Sequence, residues 1–266
     1  MDYVILLITL SALVPCLFFA LLTRFTEVNQ RQSIRSIILV FLLGMTVSVL
    51  LALVLEIGGQ LFLSSLLGIE GEGMLSALLG AAVLAPVIEE YTKSTPVAGM
   101  RRSTEFSEVE DGLIYGAVAG FGFAATENLL YFFVAWRRAL LLPPGLGAAS
   151  LVTIILVRSV GAACLHGAAS SMVGHGIGKS TFLGGGWASG YLGAVSLHAV
   201  YNFSIFAFGY LLVCNIGALC PAPLVFSLVM GVAFFNMTLK KIRRLDSMPN
   251  VQPVYEWRNG PPDDQD

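Results

Sequence analysis

Charge is what this sequence has least of: Asp, Glu, Lys and Arg make up 12% of its 266 residues, while apolar residues make up 56%. A soluble domain carries about 25% charged residues, so the scarcity excludes a water-soluble globular chain. A basic excess is missing too. Fifteen Lys and Arg stand against 17 Asp and Glu, which excludes a nucleic-acid partner, because binding phosphates requires a surplus of positive charge. The four cysteines form no CxxC pair, so they supply neither a thiolate metal site nor a disulfide framework. Cys16 and Cys164 lie in apolar runs and read as small hydrophobes. Cys214 and Cys220 flank a short polar break, where an oxidising compartment would let them bridge. No GxSxG elbow and no HExxH pair occurs, so the local signatures of serine hydrolases and zincins are absent.

What is abundant is apolar length. The mean hydropathy is +0.80, and 28 glycines suit helices that pack closely in lipid. A charge-poor run of about 20 residues reads as a membrane-spanning helix. Such runs predict an all-α, polytopic bundle of seven spans: Tyr3–Leu22, Ile34–Leu55, Met74–Met100, Gly112–Trp136, Ala148–Gly176, Phe182–Val213 and Ala222–Leu239. The third requires Glu89, Glu90 and Lys93 to lie inside a span. The first carries Asp2, has no basic n-region and shows no A-x-A site before Arg24, so it is expected to stay as an anchor. An N-out, C-in arrangement places Arg24, Arg31, Arg35, Arg101, Arg102, Lys179, Lys240, Lys241, Arg243, Arg244 and Arg258 inside, and Arg137 and Arg138 outside. That asymmetry is what positive-inside loops require. Glu70 and Glu72, with no base beside them, then fall outside. Residues 1–241 are expected to form one integral membrane domain. Residues 242–266, basic, then Pro-rich, then acidic, read as a disordered cytoplasmic tail. The protein is thus expected in the cell membrane, with the lipid bilayer as its first partner.

Ionisable side chains near a bilayer centre cost roughly 2.5 to 3.5 kcal/mol each on insertion scales, so those present point to function. They are Glu89, Glu90 and Lys93 in the third span, Glu127 in the fourth, Arg158 and His166 in the fifth and His198 in the sixth, with Asn128 and Asn202 as uncharged companions. His175 sits near a helix end, where the interface is within reach. Counting from the inner ends, Glu127 and His198 lie about 15 residues up and Glu90 and His166 about 10, a depth difference of about 8 Å. Acids and histidines at common depth on four consecutive helices are expected to converge within roughly 10 Å on a water-accessible cavity. A proton- or ion-coupled carrier would instead string them across the depth. Gly112, Gly116, Gly120 and Ala124 put a small residue at every fourth position of the fourth span, which lets helices approach closely.

The ordered motifs Glu89-Glu90-x-x-Lys93, Phe123-x-x-x-Glu127-Asn128-x-x-Tyr131, Arg158 with His166, and His198-x-x-x-Asn202 resemble those of the PrsW family of intramembrane proteases. That family is related to the type II CAAX prenyl endopeptidases and to the scaffold subunit APH-1. The resemblance covers roughly residues 86 to 202 and implies hydrolysis of a peptide bond in a membrane-bound protein substrate, of which anti-sigma factors are the known type. Glu127 stands where the CAAX relatives carry a histidine, which leaves metalloprotease and glutamic-type chemistry both open. APH-1 shows that a related bundle also serves as a non-catalytic scaffold. Peptide hydrolysis needs an activated water, an oxyanion donor and an acid. Glu90 of the Glu89–Glu90 pair is assigned as base, with Lys93 as counter-charge. His166, His198 and Glu127 either ligate zinc or donate hydrogen bonds directly. Asn202 is an oxyanion donor or orients His198, and Asn128 completes the candidate set.

Overall fold

The computed structural model describes residues 2–68, 73–213 and 222–248. Among them the regular structure is entirely helical, with seven helices long and apolar enough to cross a membrane. These are α1 (Asp2–Thr26), α2 (Ile34–Leu66), α3 (Met74–Met100), α4 (Val109–Ala139), α5 (Pro144–Phe182), α6 (Ala188–Val213) and α7 (Ala222–Asp246). The protein is therefore a multi-pass integral membrane protein. Large apolar side chains such as Leu6, Phe18, Leu50, Leu61, Leu130 and Val229 remain exposed around the bundle, as they do where hydrocarbon is the solvent.

The seven expected spans appear, with several boundaries moved. The second helix runs on past Leu55 to Leu66 and so takes Glu56 into the membrane region. The fifth extends to Pro144 and Phe182, and the sixth begins at Ala188 instead of Phe182. The break between them falls at three successive glycines, where helix propensity is lowest, and Gly184 takes φ +72° there. The last helix continues past Lys241 to Asp246. The Glu70–Glu72 loop, Cys214, Cys220 and residues 249–266 lie outside the described residues.

The fourth helix is the axis of the bundle: 61% of its apolar window is buried, against at most 33% in any other span. Its small residues explain this. Gly112, Gly116 and Gly120 face the backbone carbonyls of Gly174, Ser170 and His166 on α5, and a Cβ at any of the three would collide with those oxygens. On the opposite face Gly122 meets Phe41 O of α2 with the same lack of clearance. Backbone-to-backbone contact of this kind is how membrane helices gain dispersion energy without a hydrophobic drive.

Three helices carry a π turn: Gly44–Ser48 in α2, Gly80–Leu84 in α3 and Val157–Ala162 in α5. Such turns insert one residue into the helical register and are frequent at functional sites. Two of them flank the charged cluster, one ending a turn before Glu89 and one containing Arg158.

Candidate functional site

The cluster is built around Lys93. Its ammonium donates to Glu89 Oε2 at 2.9 Å and Glu90 Oε1 at 2.9 Å, and lies 2.7 Å from His166 Nδ1. All three protons therefore have acceptors, and the Phe123 ring lies beneath at 4.3 Å. This accounts for spacing in both motifs: i,i+3 and i,i+4 let one lysine gather both carboxylates, and the phenylalanine comes from the neighbouring helix. Lys93 and Glu90 are fully enclosed and Glu89 is nearly so. A charge group this deep persists only when its members are mutually paired.

The partners assign the histidine tautomers. An ammonium can only donate, so His166 Nδ1 accepts and its proton sits on Nε2, 2.8 Å from Glu127 Oε2. Glu90 Oε1 already binds Lys93 and accepts from His198 Nδ1 at 2.8 Å. In the neutral ring the lone pair of His198 is then at Nε2, 3.9 Å from Glu89 Oε2, and His166 Nδ1 is also 3.9 Å from that oxygen. The two rings stand edge to face, 4.9 Å apart.

Glu127 forms a second layer. Its Oε2 lies 2.9 Å from Arg158 Nη2, yet neither atom has an aligned hydrogen bond. Asn128 clamps Arg158, accepting from its Nε at 3.0 Å and donating to its carbonyl at 3.3 Å. Tyr131 lies 3.7 Å under the guanidinium. Each residue of the Phe123–Tyr131 motif thus supports a cation or a histidine of the cluster.

Glu89, Glu90, Lys93, Glu127, Asn128, His166 and His198 therefore come together as expected, in a compact group and not a relay strung through the bilayer. Asn202 does not join them. Its amide donates to Ala81 O, in the π turn of α3, at 2.8 Å. A 940 Å³ cavity lies elsewhere, between the ends of α4, α5, α6 and α7, around His175, Lys179 and Arg244. Among the described residues the charged groups of the cluster are most open at Glu127 and Arg158, whose side chains are 21% and 16% exposed.

Two members were not found by sequence reasoning. Ser170 donates to Glu90 Oε2 at 3.0 Å; its signal was its place one turn after His166. Glu56 faces the same group, close enough for its charge to act on Glu89, Glu127 and Lys93. It was hidden because it stood one residue beyond the expected end of its span.

The group whose ligand atoms fall within 4.8 Å of one another is Glu89, His166 and His198, in place of the expected Glu127, His166 and His198. The donor set fits a metal. One carboxylate and two imidazoles are a catalytic zinc set, and ligands on one zinc lie at most about 4.2 Å apart. Both rings turn an unprotonated nitrogen to the same carboxylate, and each has a carboxylate behind it, as metal-binding histidines do. His166 Nδ1 has one lone pair, which Lys93 takes here, so a metal and this ammonium compete for it.

A membrane-embedded bundle with acids, bases and a metal-competent donor set in one buried cluster defines an intramembrane hydrolase. The chain belongs to the PrsW family of intramembrane metalloproteases, whose family model matches residues 32–235. Neither a curated protein nor a solved structure matches it. It is thus an intramembrane endopeptidase, acting on membrane-embedded protein substrates.

Proposed function

We propose that Glu89, His166 and His198 hold a catalytic zinc ion and that Glu127 is the general base for hydrolysis of a membrane protein's peptide bond. The observation that carries this is the convergence of two unprotonated imidazole nitrogens on Glu89 Oε2 at 3.9 Å. Zinc bound there supplies an acidified water and polarises the scissile carbonyl.

The chain's own groups do the rest. Glu127 suits the base because its side chain is the most accessible of the three carboxylates. Arg158 offsets its charge, and Asn128 and Tyr131 fix Arg158. Glu90 is poorly suited, since both its oxygens are engaged by Lys93, His198 and Ser170. It orients His198 instead. Lys93 holds Glu89 and Glu90 together. Asn202 anchors the π turn from which Glu89 and Glu90 follow. The substrate fits a single-span membrane protein of the anti-sigma-factor type, and the basic helix ends face the cytoplasm, N-out and C-in.

Metal analysis of purified variants tests the assignment. Glu89→Gln, His166→Ala and His198→Ala are expected to lose both metal and cleavage of a co-expressed substrate. Glu127→Gln is expected to keep metal and lose about 10²- to 10⁴-fold in rate, the span of general base catalysis. Metal loss in Glu127→Gln with metal retained in Glu89→Gln would restore the assignment expected from sequence. Chelator-resistant activity in metal-free protein would remove zinc altogether.

A further inference from the structure

A second carboxylate cluster lies at the basic end of the bundle, away from the Lys93 group. Glu27 follows α1, Glu108 precedes α4 and Glu110 is in its first turn. Each brings one oxygen to within 4.8 Å of the others. Two oxygens on one Ca²⁺ at about 2.3 to 2.6 Å can be no more than about 5 Å apart, so a single ion reaches all three.

Among the described residues no cation offsets this charge, although Glu108 Oε1 accepts from Gln30 Nε2 at 3.0 Å and the Glu108 side chain caps the α4 N-terminus. Glu27 has no exposed surface, and its Oε1 has no hydrogen-bond partner. Gln32 Nε2 donates to Glu27 Oε2 at 2.5 Å and to Asp111 Oδ1 at 2.6 Å, which leaves Gln32 Oε1 buried and unpartnered as well. Asp111 Oδ2 is engaged by the backbone N–H groups of Ser107 and Glu108. Among the described residues none of these acids is in an ion pair. Arg24 and Arg31 are close in sequence, but their Nε atoms donate to the carbonyls of Gln32 and Glu27 and their guanidiniums lie over Phe25. Burial, with Asp111, Asp246 and Glu110 adding to it, pushes the Glu27 carboxyl up to about 8. A buried carboxylate facing other carboxylates is neutralised by a proton or by a bound cation.

We propose that Glu27, Glu108 and Glu110 bind a hard divalent cation, with Gln32 Oε1 as a further ligand. An all-oxygen set contributed mainly by the protein favours Ca²⁺ over Mg²⁺, which keeps most of its waters. The ion ties the α1–α2 loop to the start of α4. Asp246 extends the tie to α7, because its carboxylate accepts from Val28 N at 3.0 Å and Asn29 N at 3.1 Å. The site is structural and independent of the zinc assignment.

The test uses full-length protein in detergent, stripped with chelator, in a Glu89→Gln background that disables the deep donor set. Titration calorimetry with Ca²⁺, and separately with Mg²⁺, is expected to show one saturable site whose occupancy raises the thermal midpoint. Glu27→Gln and Glu110→Gln should each weaken binding on the order of tenfold or more, as removal of a charged ligand does. Two variants from different elements keep the result readable if one fails to fold. Absence of saturable Ca²⁺ or Mg²⁺ binding overturns the proposal. So does binding in both variants that is unchanged from the parent protein, or stabilisation by acid alone with no cation bound, which would mean that protons neutralise the cluster.

Discussion

Lys93 carries the largest local consequence of any single side chain here. Removing one partner of a buried charge group leaves the others uncompensated, at a cost of about 3 to 5 kcal/mol. Lys93→Met is accordingly expected to lower the unfolding free energy by about that amount in metal-free protein. Because the ammonium and a metal compete for His166 Nδ1, zinc should raise the thermal midpoint of Lys93→Met more than that of the wild type. An equal zinc response in both proteins would show that the two cations do not share the site. Apart from Glu56, the ionisable residues of the cluster were legible one by one, since charge inside an apolar run is conspicuous. Their pairing was not. Whether Glu89 or Glu127 faces the two histidines depends on side-chain direction about the helix axis, which spacing leaves open across different helices.

At the scale of helices, depth was legible and facing was not, for one physical reason. Depth follows from a rise of about 1.5 Å per residue, which a π turn hardly alters. Facing follows from about 100° of rotation per residue, so each inserted residue shifts everything beyond it by about that angle. Arg158 and His166 are eight residues apart and would point about 80° apart on a regular helix. With one residue absorbed by the Val157–Ala162 turn the difference falls to roughly 20°, and both reach Glu127 Oε2. Inserting one alanine after Ala162 should therefore preserve a span while turning the two about 80° apart, and cleavage should be lost with membrane insertion intact. The glycine stripe was read correctly, and it sets a second expectation. Gly120→Ala forces its Cβ against the carbonyl of His166 itself, which should cost about 1 to 3 kcal/mol and lower activity. Gly99→Ala, with open space around it, should do neither. Thermal unfolding and cleavage of the pair side by side decide this.

For the whole molecule, the expected topology can be read with reporter fusions: one after Lys241 should report cytoplasm and one near Gly71 the outer compartment. The reverse result at either point would break the N-out, C-in assignment. Global stability should also depend on pH through Glu27. Its carboxyl is held near 8 in the fold against 4.5 in the open chain. The protonated form is favoured on folding, so the contribution is full below about 4.5 and disappears as pH rises through about 8. The thermal midpoint of chelated wild type should fall across that window, and that of Glu27→Gln should stay flatter. Among the described residues the charged groups of the cluster are most open at Glu127 and Arg158, beside the exposed side chains of Leu130 and Tyr131 on α4. In a bilayer that doorway faces hydrocarbon. A transmembrane substrate can slide in sideways from where it already resides, whereas the second reactant, water, must cross the scarcest medium for it. Turnover is then governed by hydration, and shorter-chain lipids that thin the membrane over α4 should speed cleavage without changing how tightly the substrate is held.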